Sequence, residues 1–122
     1  MIADPWRLAD YLDHIIEAID RIQRYTNGMS ADSFFENELV QDAILRNLQV
    51  IGEASRNISR RYPDFANAHP GLALRQAYAM RNHLTHDYAG IDMQVVWDTI
   101  LSDLPGLKAK AEEARRALPG DV

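Results

Sequence analysis

"LADYLDHIIEAIDRIQRYTNG", residues 8–28, decides the fold. Leu8, Leu12, Ile15, Ile19 and Ile22 recur at spacings of four, three, four and three residues. At 3.6 residues per turn, that spacing puts them on one face of a helix. A strand would need alternation with period two, which is absent here. Upstream, Asp4 and Pro5 predict the helix start, because Asp accepts from free N–H groups and Pro suits the first helical position. Downstream, Asn27-Gly28 predicts the end, since glycine adopts the left-handed conformation that closes a helix.

The same period continues along the chain. Ser33 with Glu36 predicts a capping box. Leu39, Val40, Ala43, Ile44, Leu48, Ile51, Ala54 and Ile58 then keep helical spacing up to Tyr62, and Pro63 closes the segment. "RYPDFANAHPG" (61–71) reads as turn. A third helix is expected from about Leu72 to just before Gly90. Asp92 should cap a fourth, which carries Val95, Val96, Ile100, Leu101 and Leu104. Pro105 and Gly106 should kink or break that helix before the charged tail "KAKAEEARR" resumes it. From about residue 108 the tail is expected to be a solvated helix that frays. No stretch alternates long enough to form a strand. The reading is all-α: a single domain over residues 1–122, built as a four- to five-helix up-and-down bundle.

Composition narrows the class. The chain has 122 residues, 47% hydrophobic and 25% charged, which are ordinary values for one globular domain. No apolar run approaches the ~18 residues of a membrane span. The first residues, "MIADPWRLADYLDH", carry charges where a leader would be apolar, so a cytoplasmic location is expected. With no cysteine, disulfides and thiolate zinc sites are excluded. A net charge of −5 argues against a generic basic surface for nucleic acid, though it leaves room for a local basic pocket. Trp6, Tyr11, Phe34 and Phe35 add large apolar surface near the ends of the early helices. One bundle core does not need all of it, so a helix-mediated homodimer is expected.

One segment carries chemistry. "MRNHLTHDYAG" (80–90) collects an arginine, two histidines, an aspartate and a tyrosine. On a helix at about 100° per residue, Tyr88, Arg81, Thr85, Asn82 and His86 share an arc of about 160°. Arginine matches phosphate oxygens with a planar fork and keeps its charge. Histidine takes and gives protons near neutrality. Such a set suits phosphodiester cleavage: a base removes the ribose 2′-OH proton, that oxygen attacks phosphorus, and an acid protonates the departing 5′-oxygen. Fixed positive charge stabilises the phosphorane. One Arg–His pair is thin for this task. Two copies across a twofold axis would supply two Arg81 and two His86, so the dimer would also complete the site. The plainer reading is a capped helix end whose protonated histidine is favoured by the helix dipole.

The remaining candidates carry less. Glu53, in "IGEAS", either orients Arg81 or is a solvated edge residue. His83, His86 and Asp87 have ligand-like spacing, but His83 falls well round from the polar arc, so no metal and no cofactor is expected. His14 and His69 are given no role. Trp97 reads as core or interface, and Asp42 with Arg46 as a surface ion pair of little weight.

The Arg81, His86 and Tyr88 spacing, with the polar Asn82 after the arginine, resembles the HEPN superfamily and specifically the HepT-like toxins. Further matching stretches are "YTNGMSADSF" (25–34), "LVQDAILRNLQVIGEAS" (39–55) and "DMQVVWDTILSDLPGL" (92–107). Where that family commonly shows an apolar-Pro-Trp step before the motif, this chain reads "GLALRQAYAM". The resemblance implies a HEPN-like homodimeric bundle and a metal-independent endoribonuclease with catalytic Arg81 and His86. It also implies a type VII toxin–antitoxin pair, in which an MntA-like antitoxin of nucleotidyltransferase fold moves AMP onto Tyr88. The alternative is a non-catalytic HEPN-like module that binds a nucleotide or that partner.

Overall fold

The computed structural model describes residues 7–72, 74 and 90–119. Among them are six α-helices: α1 (Leu8–Thr26), α2 (Ala31–Phe35), α3 (Glu38–Arg61), α4 (Pro63–Ala68), α5 (Met93–Ser102) and α6 (Leu104–Ala117). A single 3-10 turn, Pro70–Leu72, follows α4. The described residues contain no strand, so the chain is all-α as the periodicity requires. None of the described helices is long and apolar enough to cross a membrane.

The quoted stripe of α1 is the centre of the core. Leu12, Ile15, Ile19 and Ile22 are fully buried, and Tyr11 and Ala18 join them. Gly28 ends the α1 turn with φ of 79°, the left-handed conformation expected of it. The start differs from expectation. Arg7 is extended and α1 opens at Leu8, where the Asp10 carboxylate accepts from the Arg7 amide at 2.8 Å. Asp10 thus takes the capping role the sequence suggested for Asp4.

α3 packs along α1 and presents Ile44, Leu45, Leu48, Ile51, Ala54 and Ile58 to it. Asn37 caps α3, its Oδ1 accepting from the Val40 amide at 3.0 Å. The box expected from Ser33 and Glu36 lies three residues earlier. Ser30 and Ser33 exchange hydrogen bonds of 3.1 and 2.9 Å and start the short α2. Gln41 Nε2 donates to the carbonyls of Phe34 and Phe35 at the end of α2, where the Phe34 carbonyl also accepts from the Asn37 amide at 3.2 Å. "RYPDFANAHPG" is likewise more than a turn: Pro63 occupies the first position of α4, where its missing N–H costs nothing.

Asp92 caps α5 as expected, its Oδ1 accepting from Gln94 N at 2.9 Å. Trp97 of α5 stacks on Phe34 of α2 with centroids 5.0 Å apart, so it is core. Phe34→Ala is therefore expected to lower the unfolding free energy by about 3–5 kcal/mol. Urea denaturation measures this, and a loss below about 1 kcal/mol would mean that the stack carries little of the core.

Of the aromatic surplus, Tyr11 and Phe34 are used up in this core, and Phe35 stays partly exposed. Trp6 lies outside the described residues. Apolar exposure sits instead at Leu39, Val95 and Leu101, which are 81%, 49% and 59% exposed.

The tail is also a correction. α6 runs to Ala117 without fraying from residue 108, and it buries Leu104, Ala111 and Ala114. Two ion pairs fasten it to α1: Arg115 Nε to Asp13 Oδ1 at 3.1 Å, and Lys108 to Asp20. The hydrogen bond to Asp20 raises the Lys108 pKa above its ordinary value. A raised lysine pKa adds stability that is present in full below the unfolded-state value near ~10.4 and is lost as pH rises through the folded value. The clasp is thus intact throughout the neutral range.

Candidate active site

Helix α3 and the segment between Leu72 and Asp92 supply the expected site. On α3, Ile51, Gly52, Ala54 and Ser55 are buried, with Ser55 Oγ donating to the Ile51 carbonyl at 2.7 Å. Glu53 is the member of "IGEAS" left at the surface. Its side chain is 44% exposed and meets Arg56, one turn on, at 3.7 Å. Its other oxygen, Oε2, is buried, so only one side of the carboxylate faces solvent. On the other side, Leu74 is helical and 6% exposed, and the helix expected from about Leu72 otherwise lies outside the described residues. Arg81, Asn82, His83, His86 and Tyr88 lie outside the described residues.

The two histidines set aside in the sequence have structural surroundings. His14 meets the Tyr11 ring edge-on at 6.0 Å. His69 Nδ1 donates to the Phe65 carbonyl at 2.9 Å while its ring stacks on Phe65 at 4.0 Å. Among the described residues no group of three His, Asp or Glu side chains could hold a metal ion.

Sequence reasoning missed one polar contact between helices. Asn47 is 6% exposed in the α1–α3 interface, where its Nδ2 donates to the Ala43 carbonyl at 2.8 Å. Its Oδ1 accepts from Arg21 Nε at 2.7 Å, which fixes the guanidinium of α1. The available signal was an asparagine between Ile44, Leu48 and Ile51, at a place where the apolar stripe continues on both sides.

A family model described as "Ribonuclease HepT-like" matches residues 15–114, a span that takes in most of α1, all of α3, the 81–88 motif and most of α6. The chain belongs to the HepT-like ribonuclease family. This HepT-like chain is 40% identical over 107 residues to the "Probable ribonuclease HepT" of Thermococcus cleftensis, covering 88% of this chain and 94% of that one. It is 32% identical over 111 residues to a Methanocaldococcus jannaschii protein named as a "Putative RNase", covering 91% and 89%. A further relative so named, from Caldanaerobacter subterraneus, is 29% identical over 103 residues, covering 84% and 89%. No solved structure matches the chain. The family match agrees with the resemblance carried by the Arg81, His86 and Tyr88 spacing.

Proposed function

We propose that this HepT-like chain is a single-domain cytoplasmic endoribonuclease, the toxin of a type VII toxin–antitoxin pair, and that it works as a homodimer without a metal. The observation that carries the reading is the complete Arg81, His86 and Tyr88 set inside the family match over residues 15–114. In the dimer one His86 takes the proton of the ribose 2′-OH, and the freed oxygen forms a bond to the adjacent phosphorus. The phosphorus–5′-oxygen bond breaks, and the second His86, protonated, gives its proton to that oxygen. The products are a 2′,3′-cyclic phosphate and a 5′-hydroxyl. Arg81 balances the charge that builds on the phosphorane oxygens. Asn82 adds a hydrogen-bond donor beside it. Glu53 orients the guanidinium by exchanging Arg56 for Arg81. AMP transfer from ATP to Tyr88 by a nucleotidyltransferase-fold antitoxin silences the enzyme.

The test is incubation of the purified chain with single-stranded RNA in EDTA. Cleavage with cyclic phosphate ends is the expected result. Activity that vanishes on chelation and returns with a divalent metal would overturn the mechanism. Light scattering should give the mass of two chains at micromolar concentration, and a monomer there would remove the shared site. The net charge of −5 gives some weight to a second reading, a HEPN-like module that grips a nucleotide or its partner without cutting. Expression without the neighbouring gene separates the two, since the toxin slows growth and the module does not.

A further inference from the structure

The C-terminal end of α1 gathers positive charge that the overall charge of the chain conceals. Arg21, Arg24 and Tyr25 share an arc of about 100° on that helix. Arg21 is half-buried, and its Nε is held by Asn47 while its Nη nitrogens make no hydrogen bond or ion pair among the described residues. Arg24 is exposed and sits 5.8 Å from the centroid of the Tyr25 ring, which itself remains 40% exposed. The acids nearby do not cancel these cations. Asp13 and Asp20 are taken by Arg115 and Lys108 of α6. Glu17, one turn before Arg21 in the same arc, makes no ion pair with it. Beside Arg24 a hollow of about 320 Å³ is lined by Asp20, Gln23, Arg24 and Asn27.

A fixed guanidinium, a second one stacked on a ring, and an exposed ring face are the elements with which proteins hold single-stranded nucleic acid. The cations neutralise successive phosphates and the ring takes a base. Asn27 and the Nε2 of Gln23, whose Oε1 accepts from Lys108 at 3.4 Å, can meet the edges of an unstacked base. We infer that Arg21, Arg24 and Tyr25 form a strand-holding site for single-stranded RNA, built from residues outside the 81–88 motif. An acidic protein surface would satisfy the arginines but not the ring and the amide-lined hollow, so RNA is the better match. The inference rests on the ribonuclease reading. It also bears on how a chain of net charge −5 receives a polyanion: two acids of α1, Asp13 and Asp20, are tied up by α6, and the two arginines are left to the strand.

The test uses the full chain carrying His86→Ala, so that labelled, unstructured RNA is bound without being cut. Arg21→Gln with Arg24→Gln should weaken binding about tenfold or more. The slope of log affinity against log salt should fall in magnitude by about 1.4, at about 0.7 per lost single-strand contact. Arg24→Gln alone, on an exposed side chain, should give about half of that slope change and does not touch the Asn47 contact. Tyr25→Ala should weaken binding about fivefold or more with the slope unchanged, and Tyr25→Phe should restore it. With His86 intact, the double variant should raise KM and leave kcat unchanged. Unaltered affinity and slope in the double variant, while the parent binds RNA, would overturn the site. So would a double variant that has become monomeric while its parent is dimeric, because the patch would then be a protein contact. If the parent neither binds nor cuts RNA, it is the ribonuclease reading that falls, and the site falls with it.

Discussion

His86→Ala protein is expected to leave RNA intact at concentrations where the unsubstituted chain degrades it, and Arg81→Ala to do the same. In the proposed mechanism the histidine is needed twice in each turnover, once as base and once as acid, and each role is ordinarily worth about 10²–10⁴ in rate. Losing the charge that faces the phosphorane costs a further factor of about 10²–10³. Both losses concern the reacting groups, so helical content and the urea midpoint should change little. Cleavage by either variant within about tenfold of the parent would mean that other residues do the chemistry. Mixing the two inactive variants gives a sharper result. Heterodimers would place an intact Arg81 beside one altered histidine and an intact His86 beside one altered arginine. Such a heterodimer still lacks one of the two histidines, so no recovery is the expected result, and partial recovery on mixing would show that the site is shared and that a single His86 suffices.

Tyr88→Phe is expected to retain at least part of the cleavage while escaping silencing by a cognate nucleotidyltransferase with ATP. A phenol, with an ordinary pKa near ~10, is poorly matched to base work at neutral pH that an imidazole performs better. Its proposed use is as an acceptor. An adenylate there carries one negative charge and a bulky base, and on the helix arc it falls next to Arg81. Charge neutralisation of the arginine and exclusion of RNA then act together. Intact mass after incubation should show added AMP on the unsubstituted chain and none on Tyr88→Phe. A variant still modified and silenced would place the acceptor elsewhere. A variant dead before any antitoxin is added would move Tyr88 into the catalytic set.

Much of this was legible before any coordinates, and for definite reasons. α1 and α3 are long, and their Ile and Leu positions repeat often enough for the period to be unmistakable. Arg81, His86 and Tyr88 stand out as candidates by residue type and spacing alone, and they lie outside the described residues. The short helices were not legible. α2 depends on the Phe34–Trp97 stack, which joins residues 63 apart in sequence (97 − 34), and α4 is too brief for any period to show. The docked tail was hidden by its alanines. Ala111 and Ala114 carry the buried face of α6 but hardly register in a pattern of apolar size. Arg21 and Asn47 were unreadable as a pair because nothing local connects positions 26 residues apart.

The clasp between α1 and α6 works as a vernier. Asp13 and Asp20 are seven residues apart, and so are Lys108 and Arg115. Since Asp13 meets Arg115 and Asp20 meets Lys108, the helices run in opposite directions and both pairs share one axial offset. Sliding α6 by a single turn would unmake both pairs at once, and sliding it by seven residues would restore only one. Half-exposed pairs like these add about 0–1 kcal/mol each, too little to hold a helix in place. The alanine face of α6, for its part, is smooth enough to fit several offsets. What the charges contribute is the choice among those offsets, so that the last helix stops at one position along the first.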